Sequence, residues 1–550
     1  MTREKAKKIE KMAVELTRQI SVVDTPDEIP MVEKIHEMLA GMEYFKSNPQ
    51  DLKIVKSETD PLGRISVLAI VRGKKGASKK TVVLLGHTDT VGISDYGVLE
   101  PLACEPYALT EKYQAMRDQL SPEAQADIEA GGWLFGRGLF DMKTGDAIHM
   151  CLLDELSQDL DNLEGNVIFA AVCDEESGSC GMFSVVSELV RMQESEGLEY
   201  TALIDADYMT SEYEGDPNKY IYIGTVGKLL PTFYIVGKET HVGESFKGLD
   251  PNQIAGAITN LINLNPEYCD VAEGEVTLPP VTLRQRDMKE EYNVQIARTA
   301  VVYFNYATHR STPDQVMEKM LAAGQQCFEQ VVSELNARYL KFAEMAKRPA
   351  QNLPWKARTM SYEQLYKVVK AERGGELDRE IKKLCDAMNA DTGLDTRDKS
   401  IKIVELVHNM WSDRDPVVIV MFAPPYYPHI FVEGERESEK KLLGAIEGAI
   451  EKCGGGHNIV SKRFYPYISD LSFASAPTDK RILDCLKDNL PGFGVTYKLP
   501  LEDMQKLNLP VTNIGPFGKD AHKFTERIEK KHAFEIAPEL VRQAVLSLLK

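Results

Sequence analysis

The stretch Thr81-Val-Val-Leu-Leu-Gly-His-Thr-Asp-Thr-Val91 decides the fold, because it places an apolar strand directly before a polar turn. Its first five residues are β-branched or aliphatic, which is typical of a buried strand. The turn presents His87 and Asp89 where this strand ends. Outward from the stretch, apolar runs alternate with helical patterns between residues 64 and 206. This rhythm predicts an α/β domain.

The same rhythm predicts individual elements. Strands are expected over residues 65–71, 81–85, 167–172 and 201–204, and helices over residues 146–156 and 182–192. The basic run from Arg72 to Lys80 is interpreted as a hairpin tip between two of these strands.

Composition and charge exclude several classes of protein. The chain has 550 residues, with 65 Lys and Arg against 84 Asp and Glu, which makes its formal net charge −19. Such acidity repels phosphate backbones, so we expect no nucleic-acid partner. No run approaches the roughly 20 apolar residues of a membrane span, and no signal-peptide core is visible, so a cytoplasmic location without membrane contact is expected. The nine cysteines form no C-x-x-C pair, which favours reduced thiols.

Acidic and histidine-containing turns follow the apolar strands, where open α/β sheets place ligand-binding groups. Asp141 lies in a glycine-flanked loop before a helix, and three acids follow the strand predicted over residues 167–172. Another turn holds Asp205 and Asp207, and a glycine-rich loop near the C-terminus presents His522. Two histidines with three or more carboxylates, and no thiolate motif, suit hydrolytic zinc, or manganese or cobalt.

Each cluster has a simpler interpretation when it is considered alone. His87 fits a strand-end turn, and Asp141 fits an ordinary helix N-cap. The acids at residues 174–176 fit an exposed turn, although adjacent acids after an apolar strand repel one another unless a cation offsets their charge. If His87 does bind a metal, Asp89 could hold its other ring nitrogen as a supporting carboxylate.

Taken in order, the motifs GHTDTV, GRGLFDMK, DEESG, a strand-end Asp and GPFGKDAH resemble those of a known family. It is the di-zinc aminoacylase, glutamate carboxypeptidase and succinyl-diaminopimelate desuccinylase family of metallopeptidases. The resemblance covers residues 80–210 and 440–550. More narrowly, the stretch GTVGKLLPTFYIVGKETHVGESFKGLDPN resembles an arginine-utilisation branch of this family.

The resemblance implies a fold and a domain order. The fold is α/β, with a zinc-peptidase-like catalytic domain whose mixed sheet is flanked by helices. An enlarged α+β lid or dimerisation domain is expected at residues 226–433, between catalytic segments 1–225 and 434–550. In dimeric relatives the lid reaches the partner subunit's site, whereas in some relatives an enlarged insert takes the partner's place. A homodimer and a monomer with a self-completing lid therefore both remain open.

The resemblance also implies ligands for two zinc ions, with cobalt or manganese as alternatives. The implied ligands are His87, Asp141, Glu176, Asp207 and His522. Asp141 would bridge the two metals, and the peptide bond after it would be cis. His87 and Asp207 would complete one metal, and the remaining two ligands the other. Asp205 is an alternative to Asp207, which is preferred because Tyr208 follows it, as a ring residue does in several relatives.

Four further residues complete the set of candidate site residues. Glu175, which is not itself a ligand, would act as the general base and pass a proton from water to the leaving amide nitrogen. Asp89 is also counted among the catalytic residues, because it is expected to support His87. His241 resembles the lid-domain histidine that supports the oxyanion. Where many relatives grip a substrate carboxylate with an Asp-x-Arg turn, this chain reads FNYATHR, so Arg310 is a candidate substrate-binding residue and otherwise a solvated charge.

The sequence thus predicts a zinc-dependent amidohydrolase that cleaves an amide bond in a small peptide or an N-acyl amino acid. Arginine or amino-acid catabolism is the expected setting. The competing interpretation is a non-catalytic, metal- or ligand-binding regulatory protein on the same fold, and a single-metal enzyme is a third. The presence of Glu175 and of every implied ligand favours the hydrolase, and the identity of the substrate stays open.

Overall fold

The computed structural model describes residues 2–57, 60–391 and 393–550, and its contacts divide the chain into two units. The first unit comprises residues 1–225, 430–476 and 500–550, and the second comprises residues 226–429 and 477–499. The segment 477–499 was expected in the catalytic domain. It joins the second unit instead, because Leu486 and Leu490 are buried in that unit's apolar core.

An eight-stranded mixed sheet forms the centre of the first unit. In spatial order its strands are Leu52–Lys56, Ile65–Arg72, Asn166–Val172, Lys80–His87, Glu199–Asp205, Val511–Asn513, Lys219–Ile223 and Ile459–Lys462. The third to sixth of these strands run parallel to one another. Their carboxyl ends therefore meet at one edge of the sheet, which is the edge that receives the polar turns.

The strands of this sheet are apolar because helices cover them. Residues 82–85 are at most 1% exposed, as expected for parallel strands covered on both faces. The α-helices of the first unit are Arg3–Thr17, Glu28–Ala40, Glu43–Ser47, Pro106–Ala115, Pro122–Ala130, Thr144–Ser157, Cys180–Glu196, Glu437–Cys453, Leu501–Leu507 and Ala537–Leu548. The predicted α/β class, with a mixed sheet flanked by helices, is confirmed.

One local prediction is wrong. The basic run after Ile65–Arg72 was interpreted as the tip of a hairpin with the next strand, Lys80–His87. These two strands do not pair, because Asn166–Val172 lies between them and bonds to both. Sequence neighbours often pair in sheets, and here a strand from eighty residues further along takes the central place.

A five-stranded sheet forms the centre of the second unit, in the order Val281–Asp287, Thr299–Thr308, Gly227–Val236, Val417–Tyr427 and Thr359–Ser361. Its helices are Pro251–Ile262, Pro313–Met345, Tyr362–Arg373, Gly375–Asn389, Thr396–Met410 and Lys480–Asn489. Side chains of the strand Val417–Tyr427 alternate between two apolar cores: Val418 and Val420 enter one, and Ile419 and Met421 the other. The apolar run at residues 417–422 is continuous because both faces of the sheet are covered.

Short strands complete the description. Trp133–Phe135, Gly518–Lys519 and Arg527–Glu529 form a small antiparallel sheet in the first unit, and Val271–Ala272 pairs with Glu275–Val276 in the second. Among the described residues, none of the helices combines the length and the apolar character that a membrane crossing requires.

Candidate functional site

The parallel strands bring three of the polar turns side by side. His87 is the last residue of Lys80–His87, and this strand pairs with Asn166–Val172 on one side and with Glu199–Asp205 on the other. The turn that holds Glu175 and Glu176 therefore begins beside His87. So does the turn that holds Asp207, which lies two residues beyond the end of its strand.

A first group of possible ligand atoms comprises His87, Asp141 and Asp207, all of them buried. One ligand atom from each lies within 4.8 Å of the others. His87 Nε2 is 3.0 Å from Asp141 Oδ1. Imidazole nitrogen with carboxylate oxygens is a donor set that binds zinc and other divalent transition metals.

A second group comprises Asp141, Glu176 and His522, again with one ligand atom of each within 4.8 Å of the others. His522 Nε2 lies 2.9 Å from Asp141 Oδ2 and 3.0 Å from Glu176 Oε1. Asp141 thus turns one carboxylate oxygen toward each histidine, His87 and His522. This is the arrangement that a carboxylate bridging two cations requires.

The protonation behaviour of these groups fits a pair of cations. Burial and the nearby Asp141 raise the pKa of Asp207 to about 7 and shift the pKa of Glu176 upward. Hydrogen bonds that the His522 ring donates to Asp141 and Glu176 raise the pKa of His522 to about 10. Buried carboxylates are costly unless positive charge accompanies them. Without metal that charge comes from protons, and two divalent cations would replace them.

The Asp141 loop adopts an unusual backbone. The peptide bond between Asp141 and Met142 is cis, which confirms the expectation stated above. Glu526, a fully buried acid, accepts hydrogen bonds from the backbone N–H groups of Phe140 and Asp141 at 3.2 and 3.5 Å. Its other oxygen pairs with Arg137 at 2.8 Å. This network anchors the loop that carries Asp141.

Glu175 lies beside the ligand atoms without belonging to either group. Its Oε2 is 4.0 Å from His87 Nε2, and its side chain is 11% exposed. Burial, together with Asp470 and Glu176 nearby, raises the pKa of this carboxyl well above its usual value, although His87 acts in the opposite direction. Glu175 is thus a largely buried carboxyl that lies close to His87 and outside both ligand groups.

The contacts of Asp89 differ from the expected support of His87. Its carboxylate accepts hydrogen bonds from the backbone N–H groups of Glu175 and Glu176, at 3.1 and 3.0 Å. The carboxylate lies 3.8 Å from Nδ1 of His87, which is beyond hydrogen-bond distance. The partner of that ring nitrogen is the backbone oxygen of Asp89, at 3.1 Å. Asp89 therefore fixes the acidic turn and touches the imidazole only through its main chain.

A buried ion cluster supports the same acidic turn from behind. Arg64 donates to Glu28 at 2.9 Å and to Asp174 at 2.7 Å, and Glu28 accepts the backbone N–H of Asp174 at 2.9 Å. Asp174 has a φ of 68°, a left-handed conformation that is strained for a residue other than glycine. These bonds hold the strained residue directly before Glu175. Neither Glu28 nor Arg64 belongs to a recognisable motif, so no local pattern pointed to their role.

Asp207 and Asp205 differ in their surroundings. Asp207 belongs to the first ligand group and accepts a hydrogen bond from the Tyr465 hydroxyl at 2.9 Å. The Asp205 carboxylate instead accepts from Ser469 at 3.2 Å and from the backbone of Ala206 at 2.8 Å. Sequence reasoning missed Tyr465 and Ser469. Both lie shortly after the short edge strand Ile459–Lys462, in a segment that matches none of the quoted motifs.

His241 and Arg310 lie in the second unit. His241 is exposed and its Nδ1 accepts the backbone N–H of Gly243 at 3.1 Å. The backbone N–H of Arg310, which is also exposed, donates to Asp270 at 2.8 Å. The oxyanion and substrate-binding roles of these two residues stay predictions.

Comparison with known proteins places the chain in a family. It matches the sequence profile of peptidase family M20/M25/M40 over residues 83–545. It is 34% identical over 547 residues to protein RocB of Bacillus subtilis (strain 168), covering 99% of this chain and 95% of that protein. It is 33% identical over 536 residues to the uncharacterized protein YqjN of the same strain, covering 97% and 95%.

The fold is also similar to that of a solved structure, the crystal structure of a tripeptidase from Staphylococcus aureus subsp. aureus Mu50. The TM-score is 0.54 at 13% sequence identity, and the match covers 99% of this chain and 98% of the other. The profile match and the full-length similarity show that the chain belongs to peptidase family M20/M25/M40, a family of metal-dependent hydrolases.

Proposed function

We propose that this protein is a two-metal amidohydrolase that cleaves an amide bond in a small peptide or an N-acyl amino acid. The observation that carries the proposal is the convergence of two ligand groups on Asp141, with Glu175 beside them. Zinc is the proposed metal, with cobalt or manganese as alternatives, because the donors are imidazole and carboxylate without thiolate. Cytoplasmic arginine or amino-acid catabolism is the proposed setting.

The chain's own side chains would hold the two cations. His87, Asp141 and Asp207 would bind one, and Asp141, Glu176 and His522 the other. When bound, divalent cations in such a pair polarise a scissile carbonyl and lower the pKa of water. Asp89 and Glu526 would keep the ligand-bearing loops in place, because they accept hydrogen bonds from backbone N–H groups of those loops.

Glu175 is proposed as the general base and later the general acid. Its carboxylate would take a proton from the attacking water and deliver it to the nitrogen of the leaving amine. Burial raises the pKa of this carboxyl, and a carboxylate of raised pKa is a stronger base toward the attacking water. Such proton transfer typically contributes about 10²- to 10⁴-fold to the rate.

The second unit is proposed to supply the remaining groups. His241 would support the negative oxygen that forms on the attacked carbonyl, and Arg310 would bind a substrate carboxylate. These two assignments rest on the resemblance of the motifs. They leave open whether a second copy of the chain or the enlarged insert of the same copy completes the site.

The test is a screen of the zinc- or cobalt-loaded protein against N-acyl amino acids, dipeptides and arginine-related amides. We expect turnover of at least one class, two metal ions per chain, and loss of turnover in Glu175→Gln with both metals retained. Glu447→Gln, which removes an exposed helix carboxylate of the same unit, serves as the matched control and should keep full activity. An active Glu175→Gln protein would exclude the proposed base, and full metal occupancy without any turnover would favour a binding role.

A further inference from the structure

An aromatic cleft opens directly beside the candidate metal centre, within the first unit. It has a volume of about 1020 Å³, at the upper end of the range for small-molecule sites. Three of its lining residues adjoin proposed ligands in the chain: Phe140 precedes Asp141, Tyr208 follows Asp207, and Ala521 precedes His522. A substrate whose amide lies at the metal centre can therefore extend a side chain into this cleft.

One wall of the cleft is a row of three rings, of which Tyr208 and Tyr467 are partly exposed and Phe140 is fully buried. The centroids of Phe140 and Tyr208 are 5.0 Å apart, and those of Tyr208 and Tyr467 are 4.8 Å apart with planes inclined by 39°. Small residues at the start of the helix Pro122–Ala130 also line the cleft and leave it wide. Ring faces carry partial negative charge and attract cations placed over them.

The charged residues of the cleft also favour a cationic group over an anionic one. Lys519 is already paired with Asp127 at 3.0 Å and Glu123 at 3.1 Å, and Lys523 is paired with Asp520 at 3.0 Å. Both lysines of the cleft thus have a carboxylate beside them.

Glu214 also lines the cleft, from an exposed turn, and none of the ion pairs found among the described residues includes it. The cleft therefore offers aromatic faces and one carboxylate that no Lys or Arg side chain pairs with.

We infer that this cleft is a specificity site for a cationic substrate side chain, such as a guanidinium or an ammonium group. The inference rests on the proposed function, because it assumes that the cleft receives part of a substrate. The binding preference itself can be measured without turnover. A guanidinium is planar and stacks on ring faces better than an ammonium does, so arginine-like groups are favoured over lysine-like ones. An acidic side chain would meet the carboxylate and the ring faces, and is disfavoured.

Equilibrium binding to the zinc-loaded full-length protein tests the inference. The probes are the Nα-methanesulfonyl derivatives of arginine, citrulline and glutamate, whose sulfonamide resists hydrolysis. Citrulline has the shape of arginine without its charge. We expect the arginine probe to bind about tenfold more tightly than the citrulline probe, and the glutamate probe to bind most weakly, as measured by titration calorimetry.

Variants then assign the preference to the cleft. Glu214→Gln should reduce the preference for arginine over citrulline several-fold, whereas the control Glu447→Gln should leave it unchanged. Tyr467→Leu should weaken arginine binding roughly three- to fivefold, and Tyr467→Phe, which keeps the ring face, should retain it. Metal content is measured for each variant, so that a damaged centre is recognised.

Several results would overturn the inference. Equal binding of the arginine and citrulline probes would show that the cleft does not select charge. Equal effects of Glu214→Gln and Glu447→Gln would show that the selectivity arises elsewhere. A clear arginine preference without any amide turnover would contradict the proposed function alone, because the probes are not substrates. Turnover with no side-chain preference would contradict the inference alone.

Discussion

Replacing Asp89 by Asn should disturb the acidic turn far more than it disturbs His87. Asp89 is fully buried and accepts the N–H groups of Glu175 and Glu176 at 3.1 and 3.0 Å, one on each oxygen. Asn keeps a single acceptor oxygen and turns an amide NH₂ toward the other N–H. Hydrogen bonds to a charged group contribute roughly 1.5–3 kcal/mol each, so losing one bond and the charge on the other should cost about 2–4 kcal/mol.

The functional effect should be larger than the loss of stability suggests. Glu175 and Glu176 are the proposed base and a proposed ligand, and a shift of about 1 Å in a reacting group can lower a rate 10²-fold. We therefore expect kcat to fall about 100-fold, with weaker binding of the second metal. The contact of His87 Nδ1 with the backbone oxygen at position 89 is unaffected by the substitution.

Stability is measured by urea unfolding of the metal-free protein. Trp133 lies in the first unit, whereas Trp355 and Trp411 lie in the second, so a background with the latter two changed to Phe reports on the first unit. Glu439→Gln is the matched control, because this buried carboxylate of the first unit also accepts hydrogen bonds from two backbone N–H groups, those of Gly434 and Glu435 at 3.0 and 3.1 Å, and belongs to neither ligand group. The control should lose stability and keep kcat. If Asp89→Asn changed neither kcat nor the unfolding free energy, the assigned role of its carboxylate would be refuted.

Three further changes test other parts of the site. Tyr465→Phe removes the hydroxyl that donates to Asp207. We expect metal binding, measured in competition with a chelator, to weaken about fivefold, equivalent to about 1 kcal/mol. Unchanged affinity would show that this bond is dispensable. Arg64→Met leaves Glu28 and Asp174 buried without their cation, and should cost about 3–5 kcal/mol in urea unfolding, whereas a cost below 1 kcal/mol would contradict this reading of the cluster. Because the pKa of His522 is raised to about 10, its ring holds a proton at neutral pH in the metal-free protein and must release it to bind a metal. Metal affinity should therefore rise with pH between about 6 and 9, by up to about tenfold per unit for one released proton; chelator competition at three pH values, corrected for the chelator's own protonation, would reveal a flat profile if the reasoning fails.

The outcome at the acidic turn illustrates how far the sequence could be taken. The motifs alone indicated that residues 87, 141, 176, 207 and 522 belong together, and the structure brings their side chains into two groups that share Asp141. The strand-end positions of residues 87, 176 and 207 were readable, because a continuous apolar run predicts a buried strand and the polar residues after it mark the edge of the sheet.

The supporting residues were not readable in the same way. Arg64, Glu28 and Tyr465 are ordinary residues in their local sequence, and only their contacts across distant segments give them a role. The contact of Asp89 was predicted with the wrong partner, because two possible partners lay within reach of a carboxylate and spacing could not choose between them. The placement of residues 477–499 also depended on packing, since their amphipathic pattern would suit either unit.

The sequence by itself determined the elements of this protein and the chemistry of its donors. Periodicity specifies which segments become buried strands or helices, and the residue types at the strand ends specify which metals could bind. Only the tertiary structure decided which oxygen faces which histidine, which acid stays outside the ligand groups, and which buried charges hold the loops. Those choices depend on distances of a few tenths of an ångström between segments that are hundreds of residues apart, and no local pattern in a chain encodes such distances.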